Sequence, residues 1–228
     1  MKKYLTYFLA GTAMYFGFVG LGYAETTVSA EVQYIFNTLL FLISGVLVMW
    51  MAAGFAMLES GSVRFKNVQV VLVKNMVHAL LGGIIWWAFG FAFAYGEVNG
   101  GFIGRSYFFG LKIEKPNQLA EWFLSYTFAC ASTSIVSGSL AERININCYI
   151  VFSVIMFGFT YPLIVAWTWG GGFLSKLGFQ DYAGSGIVHM TGAFSGLMGT
   201  IIIGPRLGKF KDIRTGIPIV IDKSEFEN

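Results

Sequence analysis

Residues 32–58 read VQYIFNTLLFLISGVLVMWMAAGFAML and contain no charged side chain. A helix needs about 20 apolar residues to cross the ~30 Å hydrocarbon layer of a membrane, and this stretch is longer than that. Because backbone N–H and C=O groups in lipid must be paired within the segment, the stretch is predicted to be a transmembrane helix.

The same pattern recurs four times along the chain. Uncharged intervals separate Lys74 from Glu97, Glu121 from Glu142, Arg143 from Lys176, and Asp181 from Arg206. Three consecutive glycines at 170–172 end the helical part of the third of these intervals. Together with the first stretch, the intervals predict five transmembrane helices at about 33–58, 70–96, 119–141, 148–168 and 185–204.

The composition of the 228 residues agrees with a chain that is largely dissolved in lipid. Hydrophobic residues make up 56% and charged residues 12%, about half of the ~25% that is usual in soluble domains. The net charge of +3 is too small for the basic surface that nucleic-acid binding needs. The sequence therefore predicts an all-α, polytopic membrane bundle that binds no nucleic acid.

The N-terminus has the features of a secretory signal. Lys2 and Lys3 precede an apolar core at 5–21, and small residues at 22–24 form a cleavage site before Glu25. We predict a cleaved signal peptide over 1–24, with an uncleaved first membrane helix as the alternative. A transmembrane domain over 25–210 and a short cytoplasmic tail over 211–228 follow.

The distribution of Lys and Arg predicts the orientation of the helices. Basic residues follow the first, third and fifth helices: Arg64, Lys66, Arg143, Arg206, Lys209, Lys211 and Arg214. Alternating helices place all of them on one side, and cytoplasmic loops carry this excess. The loop over 97–120 also contains Arg105, Lys112 and Lys115, mixed with acidic residues. We predict a multi-pass cell-membrane protein with its mature N-terminus outside.

No set of catalytic residues is recognisable in the sequence. GxSxG, HExxH and P-loop patterns are absent, and so are paired carboxylates within a helix. Cys130 and Cys148 have no CxxC spacing, which favours packing over a metal or redox role. The sequence predicts that the chain is not an enzyme and needs neither a cofactor nor a metal.

Two histidines lie within predicted helices. His189 is eight residues beyond Asp181, about 12 Å along a helix, which places it near the middle of the bilayer. It either bonds to a neighbouring helix or faces a cavity. His78 lies one turn beyond Lys74, where packing is favoured. Gly192 and Gly196 form a GxxxG pair, which indicates close helix packing.

Other residues allow a structural and a functional interpretation. A carboxylate at Asp181 is expected to cap the fifth helix, with cation binding as the alternative. Trp169 belongs either to an interfacial aromatic belt or to a cation–π vestibule. Glu59 and Glu142 end the first and third helices, where ion pairs or contacts with helix ends are expected.

Four segments resemble the ammonium transporter (Amt/Mep/Rh) family. AGFAMLESGSVRFKN at 53–67 resembles its first-helix signature. FAC at 128–130 with IVSGSLAER at 135–143, WGGG at 169–172 and DYAGSGIVH at 181–189 resemble later motifs. The resemblance covers about 33–210 and is closer to the Amt branch.

This resemblance implies an eleven-helix fold of two inverted halves, assembled as a homotrimer, of which this chain supplies the N-terminal half. It implies ammonium or ammonia as the substrate and a PII-type regulatory protein as a cytoplasmic partner. Half a pore exposes its inner face, so the chain alone is not expected to conduct. The alternatives are an ammonium-sensing membrane module and an inactive fragment that assembles with intact subunits.

The resemblance also implies roles for individual residues. Trp169 matches the aromatic residue of an outer recruitment site, and Phe128 the inner of two gate phenylalanines. Leu124 stands where the family has the outer one. Ammonium would lose a proton beyond the gate, and ammonia would pass along paired histidines, of which His189 matches the first. Asp181 matches an aspartate that holds the outer site together.

Overall fold

The computed structural model of the chain describes residues 29–206. The predicted signal peptide over 1–24 and the predicted tail over 211–228 lie outside these residues. The chain divides between Phe36 and Asn37 into two compact units, and every contact described below lies within the second. The long helices are α1 (Ala30–Ser62), α2 (Phe65–Tyr95), α3 (Gln118–Leu140), α4 (Ile146–Trp167) and α5 (Ser185–Ile203).

These five helices coincide with the five predicted ones to within a few residues at each end, and no strand occurs over 29–206. The predicted all-α membrane fold is confirmed. Four helices, α1, α2, α4 and α5, are long and apolar enough to cross a membrane. The remaining one, α3, has 23 residues and measures about 35 Å. It is therefore also long enough, although it is less apolar.

Several hydroxyl groups of α3 bond within their own helix, whereas Trp122 Nε1 and Ser132 Oγ are buried without a partner among the described residues. Thr133 Oγ1 donates to Ala129 O at 3.0 Å, and Ser134 Oγ donates to Cys130 O at 2.9 Å. Both hydroxyls bond to carbonyl groups of their own helix. Helix α3 packs between α2 and α5, so a helix with many hydroxyls can lie at membrane depth without exposing them to lipid.

Glycines set the spacing between α3 and α5. A Cβ atom at Gly192 would lie 2.6 Å from Ser132 O, and one at Gly196 would lie 2.7 Å from Ser139 Oγ. Only glycine lets the two backbones approach this closely. The predicted packing role of the GxxxG pair is confirmed.

Three of the long helices contain a π-turn, in which the hydrogen bonds span five residues. These turns are Trp86–Gly90 in α2, Met156–Thr160 in α4 and Ser185–Met190 in α5. In α4 the turn precedes Pro162, which has no N–H to offer the residue four positions back. Helix α2 begins with a tighter 3-10 turn at Phe65–Asn67, and the shorter elements are single turns at Asn99–Gly101 and Phe108–Gly110 and a helix at Phe173–Lys176.

Candidate functional site

Trp169 lies in the tight glycine turn that follows α4. A Cβ atom at Gly170 would clash with Ala94 O, and one at Gly172 would clash with Ala166 O, so the chain can turn here only without side chains. The indole Nε1 donates to Asp181 O at 2.8 Å. The Trp169 ring is therefore held in a fixed orientation.

The ring of Phe128 lies next to that of Trp169. Their centroids are 5.5 Å apart with an interplanar angle of 45°. A surface depression of about 440 Å³ beside Trp169 is lined by Thr168, Trp169, Ser175 and Asp181, among others. The structure thus brings together two aromatic residues that are 41 positions apart in the sequence.

Asp181 binds the start of α5 with both carboxylate oxygens. Oδ1 accepts the N–H groups of Gly184 and Ser185 at 2.8 and 3.1 Å, and Oδ2 accepts those of Gly186 and Ile187 at 2.9 and 2.8 Å. Burial acts to raise the pKa of Asp181, but these four hydrogen bonds outweigh it and hold the pKa below its usual value. The cap expected at Asp181 is confirmed.

One face of α3 is half-exposed toward both ends of the helix, whereas residues 129–134 between them are buried. It carries Leu124, Phe128, Ile135 and Ser139, which recur at helical spacing. We call this the α3 groove face. Its first two residues lie at the end of the bundle that contains Trp169, and its last two lie toward the opposite end. Two of the predicted site residues, Leu124 and Phe128, thus share one surface.

His189 lies on α5, which flanks the α3 groove face. Its backbone N–H donates to Gly184 O, five residues back, in the π-turn. Its side chain is exposed, and no hydrogen bond to its ring occurs within the described residues. Because Gly192 contacts Ser132, His189 is one turn before the level of Ser132, close to the level of Phe128.

A buried ion pair joins α1 to α2. Glu59 Oε2 accepts from Lys74 Nζ at 3.0 Å, and the two side chains are 3% and 6% exposed. Asn75 Nδ2 donates to the same oxygen at 3.2 Å. An ion pair or a contact with a helix end was expected at Glu59, and the ion pair is confirmed. Both charges are buried, and each offsets the cost of burying the other.

His78 belongs to the same buried region. Its Nε2 lies 3.2 Å from Ser134 Oγ, and its ring contacts Tyr149 edge-on at 5.9 Å. The histidine is 1% exposed. This environment fits the packing role favoured from the sequence. A charged residue inside an otherwise apolar run, such as Lys74, was the available sequence signal for this region.

Glu142 connects three segments at the same end of the bundle. Oε1 accepts from Arg64 N at 2.8 Å, Arg64 Nε at 3.1 Å and Asn67 Nδ2 at 2.8 Å, and Oε2 lies 3.4 Å from Arg206 Nη1. Burial acts to raise the pKa of Glu142, but these donors hold it below its usual value. The expected ion pair at Glu142 is confirmed.

The bundle thus has two chemically different ends. We call the region of Trp169, Asp181 and the start of α5 the aspartate end. We call the region of Glu59, Lys74, Glu142 and their cationic partners the ion-pair end. A cavity of about 230 Å³ at the ion-pair end is lined by Phe55, Leu58, Glu59, Ser134, Ile135 and Ser139, among others.

Within residues 29–206 no group of three His, Cys, Asp or Glu side chains lies close enough to hold a metal ion. The chemistry offered by the aspartate end is therefore that of aromatic faces and a capped helix start. The chemistry offered by the ion-pair end is that of buried carboxylates.

Comparison with known proteins identifies the family to which the chain belongs. The model of the Ammonium Transporter Family matches residues 39–220. Ammonium transporter 1 member 3 of Solanum lycopersicum is 41% identical over 196 residues, 82% of this chain and 42% of that protein. Ammonium transporter Amt2 of Archaeoglobus fulgidus is 39% identical over 180 residues, 74% of this chain and 38% of that protein.

Two solved structures are similar in fold. "Sensor Amt Protein" has 28% identity and a TM-score of 0.75, over 77% of this chain and 46% of that chain. Saccharomyces cerevisiae Mep2 has 27% identity and a TM-score of 0.67, over 75% of this chain and 40% of that chain. The chain spans less than half the length of each of these four proteins.

Proposed function

The chain belongs to the ammonium transporter family, and on that basis we propose that it forms the first half of a pathway that carries ammonium or ammonia across a membrane. The exposed apolar side chains of α1, such as Leu47 and Trp50 at 57% and 70% exposure, suit contact with lipid or with further helices. The rest of the pathway would come from a second set of helices, in the same polypeptide or in another.

The first step is capture of the cation at the aspartate end. Moving an ammonium ion out of water costs on the order of tens of kcal/mol by a Born estimate, so water must be replaced gradually. The Trp169 face offers cation–π attraction, worth about 2 kcal/mol when desolvated. Phe128, 5.5 Å away, offers a second ring. Leu124 has no π face, so this attraction is assigned to Trp169 and Phe128.

The second step is passage of the base along α5. A neutral imidazole both donates and accepts hydrogen bonds, so it can line a route without adding charge. The side chain of His189 is exposed and unbonded within the described residues, which leaves it available to a ligand. Asp181 contributes indirectly, because its carboxylate fixes the first turn of α5 and its backbone carbonyl accepts the indole N–H of Trp169.

We also propose the membrane arrangement and the partners. The ion-pair end, with Arg64, Arg143 and Arg206, would face the cytoplasm of a cell-membrane protein whose mature N-terminus is outside. A complete transporter would assemble as a homotrimer, and a PII-type protein would dock on its cytoplasmic face. Crosslinking of the membrane-embedded protein would reveal a trimer as a band with three times the mass of one subunit.

The observation that carries the transport proposal is the pairing of the Trp169 and Phe128 rings beside a groove flanked by an unbonded histidine. The test is uptake of labelled methylammonium by cells that lack their own ammonium transporters. The protein is expressed both as the 228-residue chain and as the product of its complete reading frame.

Uptake is expected for the complete product only. The Trp169→Leu variant is expected to lower its uptake at limiting substrate by roughly 30-fold, the equivalent of about 2 kcal/mol of lost attraction. Trp50→Leu, a change at a lipid-exposed position, is the matched control and leaves uptake unchanged. Failure of the complete product to take up methylammonium contradicts the transport proposal.

Ammonium sensing is a second candidate, favoured by the fold similarity to the protein called "Sensor Amt Protein". A sensor would bind ammonium at Trp169 and Phe128 without moving it across the membrane. Saturable binding without uptake would support this role. A third candidate is an inactive fragment that assembles with intact subunits, for which neither binding nor uptake is expected.

A further inference from the structure

Glu121 is a half-buried carboxylate near the start of α3. Within residues 29–206 its side chain makes no hydrogen bond or ion pair, and its backbone N–H donates to Asn117 O at 2.9 Å. The dipole of α3 favours a negative charge at this position, but that interaction leaves both oxygens able to accept hydrogen bonds. Glu121 therefore has acceptor capacity that the described fold does not use.

Asp181, the other carboxylate in this part of the bundle that is held at a helix start, is fully engaged. Each of its oxygens accepts two backbone N–H groups at the start of α5. Four accepted bonds fill the lone-pair sites of a carboxylate. A cation that arrives at the aspartate end therefore finds acceptor oxygens at Glu121 rather than at Asp181.

The position of Glu121 on α3 directs its side chain toward the α5 side of the helix. Ser139 lies 18 residues later in the same helix. Because 18 residues make five full turns of an α-helix, the two side chains leave α3 in the same direction. A Cβ atom at Gly196 of α5 would lie 2.7 Å from Ser139 Oγ, so this direction faces α5.

The height of Glu121 along the bundle places it at the aspartate end. Helices α3 and α5 run in the same direction, because Gly192 contacts Ser132 and Gly199 contacts Leu140. Glu121 is 11 residues before Ser132, whereas α5 begins 7 residues before Gly192. Glu121 therefore lies about four residues, or about 6 Å, beyond the start of α5.

The Trp169 and Phe128 rings lie on the same side of α3 as Glu121. Phe128 follows Glu121 by seven residues, which is two helical turns, and its ring centroid is 5.5 Å from that of Trp169. Leu124, between Glu121 and Phe128, offers no π face. A cation that approaches the two rings from the aspartate end therefore passes Glu121 first.

Helix α2 independently places Glu121 near the turn that carries Trp169. A Cβ atom at Gly170, the residue after Trp169, would clash with Ala94 O near the end of α2. Tyr95, the next residue of α2, is close enough to Glu121 for the two to interact electrostatically. Two neighbouring helices thus indicate the same position for the carboxylate.

The cation in the vicinity does not neutralise Glu121. Lys115 interacts electrostatically with Glu121, but no ion pair forms between them. The lysine is exposed, and its Nζ lies 6.0 Å from the centre of the Tyr107 ring. Because water and salt screen an exposed charge more than a half-buried one, Lys115 weakens the attraction of Glu121 for a cation without cancelling it.

We propose that Glu121 is the anionic residue of the outer cation site, where its carboxylate attracts ammonium or methylammonium and accepts an N–H hydrogen bond before the ion reaches the Trp169 and Phe128 rings. This inference rests on the proposed function, in which these rings capture the cation. It adds a full negative charge to a site that otherwise offers aromatic faces, and that charge favours the protonated form of the base over the neutral one.

The test measures binding rather than uptake. The product of the complete reading frame is placed in nanodiscs of neutral lipid, and equilibrium binding of radiolabelled methylammonium is followed by scintillation proximity at low salt. Glu121→Gln keeps the shape of the side chain and removes its charge. It is expected to raise the half-saturating concentration by roughly 10-fold and to leave the number of sites unchanged.

Two further measurements separate a binding role from a structural one. Glu114→Gln, at an exposed carboxylate in the loop before α3, changes the net charge equally and is the matched control, with an unchanged half-saturating concentration. Raising sodium chloride from about 20 to about 300 mM should reduce the difference between Glu121→Gln and the unmodified protein, because salt screens the lost attraction. The unfolding temperature of Glu121→Gln should equal that of the unmodified protein, because no described hydrogen bond is lost.

The outcomes distinguish this inference from the transport proposal. Uptake by the unmodified protein together with equal binding by Glu121→Gln leaves transport standing and overturns the role of Glu121. Binding that is weakened in Glu121→Gln, without any uptake, supports that role and contradicts transport. An equal loss of affinity in Glu114→Gln, a loss that does not depend on salt, or an absence of saturable binding to the unmodified protein overturns the role of Glu121.

Discussion

The two ends of the bundle stabilise their carboxylates in different ways. At the aspartate end, Asp181 accepts four N–H groups from residues that follow it within six positions. At the ion-pair end, Glu59 and Glu142 depend on side chains from other segments, 15 to 78 positions away. A cap within one segment survives small shifts between helices, whereas an ion pair between helices requires that both are in place.

The largest expected effect comes from breaking the ion-pair end. The Lys74→Met variant leaves the Glu59 carboxylate buried without its cation, which is expected to destabilise the fold by about 3–5 kcal/mol. Thermal unfolding in detergent can be followed by dye labelling of Cys130, which is buried, in a Cys148→Ser background. Lys176→Met, at an exposed lysine, is the control.

Adding Glu59→Gln to Lys74→Met should restore most of the lost stability, since no unpaired charge remains. If Lys74→Met is as stable as the Lys176→Met control, the buried pair does not hold α1 to α2 and the contrast between the two ends fails.

A smaller effect is expected from the aspartate end. Asp181→Ala removes the acceptor of four N–H groups, and loss of a helix cap costs about 1–2 kcal/mol. Asp181→Asn keeps one acceptor oxygen, so it should lower the free energy of unfolding less than Asp181→Ala does. The same Cys130 labelling assay measures both. A loss for Asp181→Ala that exceeds the loss for Lys74→Met would reverse the ranking of the two ends.

Acid should reduce the stability that Asp181 and Glu142 contribute at the two ends. The folded-state pKa values of Asp181 and Glu142 lie below the usual 3.8 and 4.5. Their contribution is therefore complete above about pH 5 and is lost as the pH falls through the folded-state values. Unfolding temperatures measured from pH 7 to pH 3 should decline less steeply in Asp181→Asn than in the unmodified chain. Parallel curves would contradict this assignment.

The smallest expected loss of stability is that of Glu142→Gln, and its dependence on salt should distinguish the two ends. The Arg64 side chain in the pair with Glu142 is 52% exposed, so Glu142→Gln is expected to cost only about 0–1 kcal/mol. Raising the salt concentration should reduce that cost further, because exposed charges are screened. The cost of Asp181→Ala should not change with salt, because its backbone hydrogen bonds are local.

The same contrast explains what the sequence could predict. The five helices followed from uncharged intervals, and the Asp181 cap followed from a carboxylate just before a helix start, because both depend on neighbours in the chain. The pairing of Glu59 with Lys74 did not follow. Both residues bound uncharged intervals, and only the packing of α1 on α2 shows that they meet away from water.

The π-turns were also beyond the sequence, because a single extra residue in a helical turn barely alters the hydrophobic pattern. The approach of Phe128 to Trp169 depends on the fold as well, since it joins the middle of α3 to the turn after α4. Only the family resemblance linked these two residues before the structure was known.

The π-turn Ser185–Met190 fixes the number of residues between two anchors of α5. The carboxylate of Asp181 holds the helix start, and Gly192 holds the next turn against α3. One residue corresponds to about 100° of rotation in an α-helix. Deletion of one residue in this stretch would therefore break either the Asp181 cap or the contact of Gly192 with α3, or it would rotate the imidazole of position 189 away from α3. Every other amino acid would remain the same.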